Sequence, residues 1–164
     1  MRRHVRFVVA FDGSAQARQA LHVALELAHS FDAKAEVHVV SVVDYISLPA
    51  GLNQAPAGAP DLLASDAETE LQAASEIARA AGWRITPRLL RGPVAAEVLN
   101  YARNVRATLI VVGTHGRKGI ARAVLGSTCE SLVRNSEIPV LTVQAVTGHA
   151  KPQREEALSE PARS

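Results

Sequence analysis

The sequence is poor in the features that mark secreted, membrane-spanning and nucleic-acid-binding proteins. It contains a single cysteine, Cys129, so no disulfide can form within the chain and a reducing, cytoplasmic location is expected. No apolar run approaches the roughly 18 residues of a membrane span, and Phe7 to Phe11 is too short for the apolar core of a signal peptide. Aromatic residues make up 4% and the net charge is +2, which argues against a dedicated nucleic-acid binder, since such proteins carry a basic face with stacking aromatics.

The rest of the composition is that of an ordinary soluble domain. Hydrophobic residues make up 48% and charged residues 21% of the 164 residues, and a chain of this length buries a substantial core. We therefore expect one domain over residues 1–146. The tail from Thr147 to Ser164 is polar and charged apart from isolated apolar residues, and we expect it to be disordered.

Short apolar runs alternate with longer segments of helical periodicity. The apolar runs predict strands at Val5 to Phe11, Ala35 to Asp44, Arg84 to Arg91, Thr108 to Gly113 and Ile138 to Val146. Pro87 and Pro139 place the third and fifth strands at sheet edges, because proline cannot donate to a central ladder.

The intervals between these strands predict helices and one long loop. The second helix should span about Leu62 to Ala81, the third should begin with Pro93 at its first position, and the fourth should span Ser127 to Asn135. The proline- and glycine-rich segment Tyr45 to Asp61 is expected to be a loop where a lid would lie. The first helix should bury one face made of Ala17, Leu21, Ala24, Leu25, Ala28 and Phe31.

The alternation of strands and helices predicts an α/β protein with a parallel sheet covered by helices on both faces. Ligands of such folds bind beyond the carboxyl ends of the strands, where the strand order reverses. Two loops fit that position: the turn Asp12-Gly13-Ser14 after the first strand, and Gly113 to Gly116 after the fourth.

The segment from Gly113 to Thr128 combines glycines with Arg117, Lys118 and Arg122, a pattern typical of a backbone folded around an anion. Because Gly113 has no side chain, we expect a ligand to lie against its backbone, and Gly113→Val should abolish binding while leaving the fold intact. We expect Gly116 and Gly126 to adopt positive φ. Ser127 and Glu130 form the pattern of a capping box, with Ser127 capping a helix whose free N–H groups face phosphate.

Known phosphate-binding fingerprints do not match this chain. It has neither the G-x-x-x-x-G-K-[ST] sequence of a P-loop nor a G-x-G-x-x-G after the first strand. The spacing Gly113-x2-Gly116-x9-Gly126-Ser127 instead resembles the ATP-binding branch of the universal stress protein family. The stretches VVAFDGS, RGPVAAEVLNYA and TLIVVGTHGRKGIARAVLGSTCESLVRNSEIPVLTV are also similar to that family, so that the resemblance covers roughly Arg6 to Val143.

The resemblance implies a Rossmann-like, five-stranded sheet of order 3-2-1-4-5 that binds ATP together with Mg²⁺. By this resemblance, Asp12 would lie near the ribose, the phosphates or the metal, and Gly113 would contact the ribose. Residue 10 is alanine where some members have proline, which affects packing on the base. The other implied contacts are Val42, Ala10 and Val112 with adenine, Gly116, Gly126, Ser127 and Thr128 with the phosphates, and His115 and Arg117 from the same loop. The family often forms homodimers through the last strand, here Ile138 to Val146.

The residues leave several roles open. Asp12 either holds Mg²⁺ together with phosphates or accepts N–H groups of its own turn. Cys129 is either activated by its position in a first helical turn or is a buried, inert thiol. His115 could touch a phosphate, but a catalytic role is the minor interpretation.

The principal hypothesis is an ATP-dependent regulatory protein of the stress response, not an enzyme, with slow hydrolysis at most and an unknown protein partner. One alternative is an ATP-hydrolysing or adenylating enzyme of the same fold, although the Ser-Gly-Gly type of loop after strand one is missing. Another is a dimeric stress protein that binds no nucleotide. We expect neither nucleic acid nor membrane as a partner.

Overall fold

The computed structural model describes residues 4–31, 35–44, 59–114 and 125–144, the side chains of 59–61 excepted. Strands and helices alternate along these ranges. The elements are β1 (Val5–Ala10), α1 (Ala15–His29), β2 (Ala35–Val43), α2 (Ala59–Ala80), β3 (Thr86–Arg91), α3 (Val94–Asn104), β4 (Leu109–Gly113), α4 (Ser127–Asn135) and β5 (Val140–Val143).

The strands form one parallel sheet in the order β3-β2-β1-β4-β5, as expected. β1 is central, with Ala10 paired to Val40 of β2 on one side and to Val112 of β4 on the other. β3 and β5 are the edge strands, which confirms the positions predicted from the two prolines. The strand order therefore reverses between β1 and β4, and the carboxyl ends of these two strands meet in the middle of the sheet.

Successive residues of β1 face two separate cores. Phe7 and Val9 join the cluster under α1 and α2, whereas Val8 joins the cluster under α3 and α4. Because both faces are covered, the central strands are apolar almost without interruption, which is the pattern of a buried parallel sheet.

Several predicted boundaries are wrong by a few residues. α2 begins at Ala59, inside the predicted loop from Tyr45 to Asp61, and β3 begins at Thr86 instead of Arg84. Pro93 is the N-cap of α3 and not its first helical residue. β5 begins at Val140, so that its proline precedes the strand.

The predicted apolar face of α1 is buried except at Phe31. Phe31 lies beyond the end of the helix and is 46% exposed; its ring meets that of Phe7 edge-on at 6.0 Å between centroids. The rest of the predicted loop, residues 45–58, and the predicted tail from Thr147 lie outside the described residues. No helix in the described part of the chain is long and apolar enough to cross a membrane.

Candidate functional site

The candidate site lies at the carboxyl ends of β1 and β4, where Ala10 and Val112 are neighbours across the sheet. Ala10, Val112 and Val42 all belong to the core face under α3 and α4; Val112 is buried and the other two are half-buried. The structure thus brings the three expected adenine contacts to the same face, at the same end of adjacent strands.

The chain leaves β1 through a tight turn held by its own side chains. Asp12 Oδ1 accepts the Ser14 N–H at 3.0 Å, and Ser14 Oγ caps α1 by accepting the Ala17 N–H at 3.1 Å. Gly13 has φ +74°, a conformation that glycine adopts without steric cost. The interpretation of Asp12 as an acceptor within its own turn is therefore confirmed, and its role toward a metal stays a prediction.

Helix α2 reaches this turn through a carboxylate that local sequence patterns did not indicate. The carboxyl group of Glu70 occupies the place where a side chain at Gly13 would begin. Arg18 of α1 bridges the turn and α2. Its Nε donates to the Gly13 carbonyl at 3.1 Å, and its Nη2 lies 3.5 Å from Glu70 Oε2. The backbone conformation of Gly13 thus favours glycine, and a side chain at this position would displace the Glu70 carboxyl group.

Gly113 ends β4 and faces helix α1, not open space. A Cβ at this position would lie 2.8 Å from Gln16 Cβ, 2.9 Å from the Gln16 backbone carbon and 3.1 Å from the Ala17 nitrogen. The expectation that the missing side chain leaves room for a ligand is therefore wrong, and so is the expectation that Gly113→Val would leave the fold intact. A ribose contact through the Gly113 backbone stays a prediction.

The start of α4 is fixed to the end of β4. Gly126 is the N-cap of this helix, with φ −60° and ψ 150°, and its N–H donates to the Thr114 carbonyl at 2.7 Å, while the Thr114 N–H donates to the Val143 carbonyl at 2.9 Å. The N-terminus of α4, with its free N–H groups and partial positive charge, therefore begins beside the carboxyl end of β4.

Two sequence expectations fail at this helix start. Ser127 is the first helical residue and makes no capping bond, so the predicted capping box of Ser127 and Glu130 is absent; Glu130 instead pairs with Arg134 at 2.9 Å. Gly126 does not have positive φ. An extended N-cap places the exposed Ser127 hydroxyl, and the half-buried Thr128, in the first turn of the helix.

The remaining predicted residues are a buried thiol and three residues that lie outside the described ranges. Cys129 is 2% exposed, and burial raises the pKa of its thiol, which confirms the inert interpretation. His115, Gly116 and Arg117 lie outside the described residues. Among the residues that are described, no group of three or more His, Cys, Asp or Glu side chains could hold a metal ion.

The fold and this site define the class of protein. It is an α/β protein whose doubly covered parallel sheet presents the Asp12-Gly13-Ser14 turn and the N-terminus of α4 at the point where the strand order reverses. The chain belongs to the universal stress protein family, whose model matches residues 4–144. A universal stress protein of Methanocaldococcus jannaschii is 32% identical to it over 151 residues, which cover 92% of this chain and 84% of the relative.

Solved structures add two similar proteins with nucleotides. A universal stress protein in complex with cAMP is 26% identical, with a TM-score of 0.64 over 86% of this chain and 97% of that one. The universal stress protein of Archaeoglobus fulgidus in complex with dAMP is 25% identical, with a TM-score of 0.62 over 87% of this chain and 99% of that one.

Proposed function

We propose that this protein binds an adenine nucleotide, ATP in the first instance, and acts as a nucleotide-dependent regulatory protein in the stress response. The observation that carries the proposal is the convergence of the Asp12 turn and the α4 N-terminus on the paired ends of β1 and β4. Two universal stress proteins similar to this chain hold the adenine nucleotides cAMP and dAMP, which supports the same class of ligand here.

The proposed pose follows from which groups are apolar and which carry N–H donors. Adenine would lie against Ala10, Val112 and the Val42 backbone, and the ribose would lie near Gly113 and Asp12. The phosphates would lie at the α4 N-terminus, where charge-assisted hydrogen bonds contribute about 1.5–3 kcal/mol each. The proposed phosphate ligands are Gly126, Ser127 and Thr128, together with His115, Gly116 and Arg117.

Mg²⁺ would be held by Asp12 and the phosphates, since magnesium sites commonly combine one or two carboxylates with the substrate. The chemistry that the ion supplies is neutralisation of phosphate charge. Asp12 accepts a backbone N–H and Glu70 faces Arg18, so that both carboxylates beside this turn have structural partners. These contacts favour binding with slow hydrolysis over rapid turnover, and a partner protein would read the nucleotide-bound state.

Calorimetric titration with ATP, ADP, AMP and cAMP, each with Mg²⁺ and with EDTA, tests the proposal directly. Saturable binding of at least one of these nucleotides is expected, without comparable release of phosphate or pyrophosphate over the same period. If none of them binds, the dimeric protein without a nucleotide replaces this proposal. Rapid product release would instead favour the enzyme alternative.

Asp12→Asn separates the two roles of Asp12, because the amide oxygen can still accept the Ser14 N–H while the charge is lost. We expect unchanged thermal stability and an affinity for Mg²⁺-ATP lower by about tenfold or more, the loss of one charge-assisted interaction. Affinity for cAMP measured in EDTA should change little. Equal affinities of the variant and the unaltered protein for Mg²⁺-ATP would leave Asp12 with its role in the turn alone.

We also propose that the protein is a homodimer assembled through the free edge of β5. The apolar side chains of Val133 on α4 and of Leu125, just before that helix, are 48% and 40% exposed. An edge strand is suited to pairing with a second copy around a twofold axis, and exposed apolar side chains commonly mark protein interfaces.

A further inference from the structure

The C-terminus of α2 builds a second concave surface at the opposite end of the sheet. Gly82 has φ +77°; its N–H donates to the Arg79 carbonyl at 3.0 Å, and the Trp83 N–H donates to the Ala78 carbonyl at 2.8 Å. These two bonds and the left-handed glycine form a Schellman motif. The motif fixes the backbone of Trp83, just before β3 begins.

Trp83 forms part of a cavity of about 450 Å³, a size within the range of ligand sites. Its indole is half-buried, packs against the core under α1 and α2, and meets the His29 ring edge-on at 6.3 Å. The ring is therefore anchored on one side and available on the other. The cavity, here called the Trp83 groove, is lined by Ser75, Arg79, Trp83, Arg84 and Ile85.

Two cations of the Trp83 groove have no partners within the described part of the chain. Arg79 and Arg84 are exposed, and neither guanidinium makes an ion pair or hydrogen bond there. None of the lining residues within the described ranges is acidic, and the Ser75 hydroxyl donates to the Leu71 carbonyl at 2.9 Å. The groove thus combines the apolar side chains of Trp83 and Ile85 with the positive charges of Arg79 and Arg84.

We propose that the Trp83 groove is a docking site for an acidic segment of a partner protein, with one apolar side chain inserted on Trp83 and carboxylates paired with Arg79 and Arg84. Tryptophan and arginine are the side chains that most often dominate protein interfaces, and the arginine fork matches a carboxylate. A single tryptophan provides no row of stacking platforms, so an extended nucleic acid is not the expected occupant. The inference does not rest on the proposed nucleotide site, which lies at the other end of the strands.

The chain offers a built-in probe, because Trp83 is its only tryptophan. The full-length protein would be titrated with a short synthetic peptide of alternating Glu, Asp and Leu, free of aromatic residues, while the tryptophan emission is followed. We expect a saturable shift of this emission on binding, and the affinity should fall with added salt because the proposed ion pairs are screened. A matched peptide with Ser in place of Leu should bind more weakly, since it lacks the apolar anchor.

The double variant Arg79→Gln/Arg84→Gln should lower the affinity for the acidic peptide by roughly tenfold, as expected for the loss of two exposed ion pairs. Arg103→Gln/Arg106→Gln is the matched control, because it removes two exposed arginines near the end of α3 and alters the net charge equally; it should change the affinity less than twofold. Thermal unfolding of each variant checks that the fold is retained.

Several results would overturn the proposal. One is the absence of a saturable response to the acidic peptide, and another is an equal loss of affinity in both double variants. Tighter binding of a basic peptide with the same leucines, or of single-stranded poly(U) RNA, would assign the groove to a different class of partner.

Discussion

Among single residues, Gly113 shows most clearly that a glycine can serve a purpose other than the one its sequence suggests. Its position after a strand suggests room for a ligand, but in the structure its missing side chain makes room for helix α1. Gly113→Ala should lower the free energy of unfolding by about 1–3 kcal/mol, because the new methyl group presses on the α1 backbone at Gln16 and Ala17. Denaturant titration measures this loss.

The matched control is Gly82→Ala. Gly82 has φ +77° and open space around its missing side chain, so that this variant should show only the backbone strain of about 1–2 kcal/mol. If Gly113→Ala were as stable as the unaltered protein and yet bound nucleotide poorly, the missing side chain would belong to the ligand and not to helix packing.

The sequence predicted the positions of Gly113 and Gly126 in the fold better than their geometry. Gly113 ends β4 and Gly126 precedes α4, as expected, but the direction of the missing Cβ of Gly113 depends on how α1 crosses β4. Glu70 and Arg18 had no local signal, because Glu70 lies on a different helix from the turn that it contacts. A contact between distant segments leaves no periodic trace in a single sequence.

Among the helices, α1 and α4 both have a serine near their N-terminus, but the loss of its hydroxyl should have different effects on stability in the two. Ser14 caps α1 with its side chain, so that Ser14→Ala should cost about 1 kcal/mol of stability. Ser127 is the first residue of α4 and caps nothing, so that Ser127→Ala should cost less than about 0.5 kcal/mol. Chemical denaturation of both variants measures the difference.

The same pair tests the phosphate role of α4. If Ser127 binds phosphate, Ser127→Ala should weaken ATP binding while the stability is kept. A loss of stability in Ser127→Ala as large as that in Ser14→Ala would contradict the helix start seen in the structure and would restore the predicted capping box.

Element ends were harder to predict than element types, for a physical reason. Pro87 correctly marked β3 as an edge strand, because a missing donor is a local property, whereas Pro139 precedes β5, so that the edge position of β5 does not depend on it. At Pro93, by contrast, the N-cap and first helical positions both tolerate the missing N–H, and the structure selects the N-cap with ψ 121°. Local chemistry leaves such choices to the packing of the whole helix.

At the scale of the whole molecule, a polar cluster ties β1, β2 and α3 together at the amino end of the sheet. His38 Nδ1 lies 2.8 Å from the Tyr101 hydroxyl, and its Nε2 lies 3.5 Å from Glu36 Oε2. The Nε of Arg6 donates to that same Glu36 oxygen at 2.9 Å. Burial lowers the pKa of His38 below its usual 6.5, and nearby Arg6 and Arg88 act in the same direction, while Glu36 opposes them.

The free energy of unfolding should therefore decrease as the pH falls below neutral. A histidine with a lowered pKa binds fewer protons in the folded state than in the unfolded state, so that its contribution is complete above pH 6.5 and is lost as the pH falls toward the folded pKa. The hydrogen bond from Arg6 lowers the pKa of Glu36 below 4.5, and that contribution is lost only at still lower pH.

His38→Gln should flatten the first part of this fall. Urea midpoints measured between about pH 7.5 and about pH 5, the range in which histidine titrates, should drop less in this variant than in the unaltered protein. His22→Gln is the matched control, since His22 is exposed on α1 and should keep the original slope. A variant at His38 with an unchanged slope would assign the acid sensitivity to another group.

The strand order is a property of the whole sheet, and the sequence pattern alone did not predict it. Alternation of elements predicted a parallel sheet, and prolines predicted its two edges, but the order 3-2-1-4-5 came from family resemblance. Right-handed crossovers and the adjacency of consecutive strands reduce the possible orders to a handful, but they do not choose one order among these.

The free edge of β5 allows a sharp test of the proposed homodimer. The Pro139 carbonyl accepts the Ile110 N–H at 2.9 Å, and the Val143 carbonyl accepts the Thr114 N–H at 2.9 Å. Because backbone groups alternate sides along a strand, the N–H of the exposed Thr142 faces away from β4. Thr142→Pro should remove a donor from the free edge and keep the ladder to β4.

Light scattering across a dilution series should show Thr142→Pro as a monomer at concentrations where the unaltered protein is a dimer. Thr142→Val, which retains the N–H, should remain a dimer and controls for loss of the hydroxyl. Both variants should unfold near the same temperature as the unaltered protein once all are diluted to monomers, because dimerisation itself adds stability through mass action. A Thr142→Pro dimer of unchanged affinity would show that β5 does not pair through this edge, and the exposed Val133 on α4 would then be the next surface to alter.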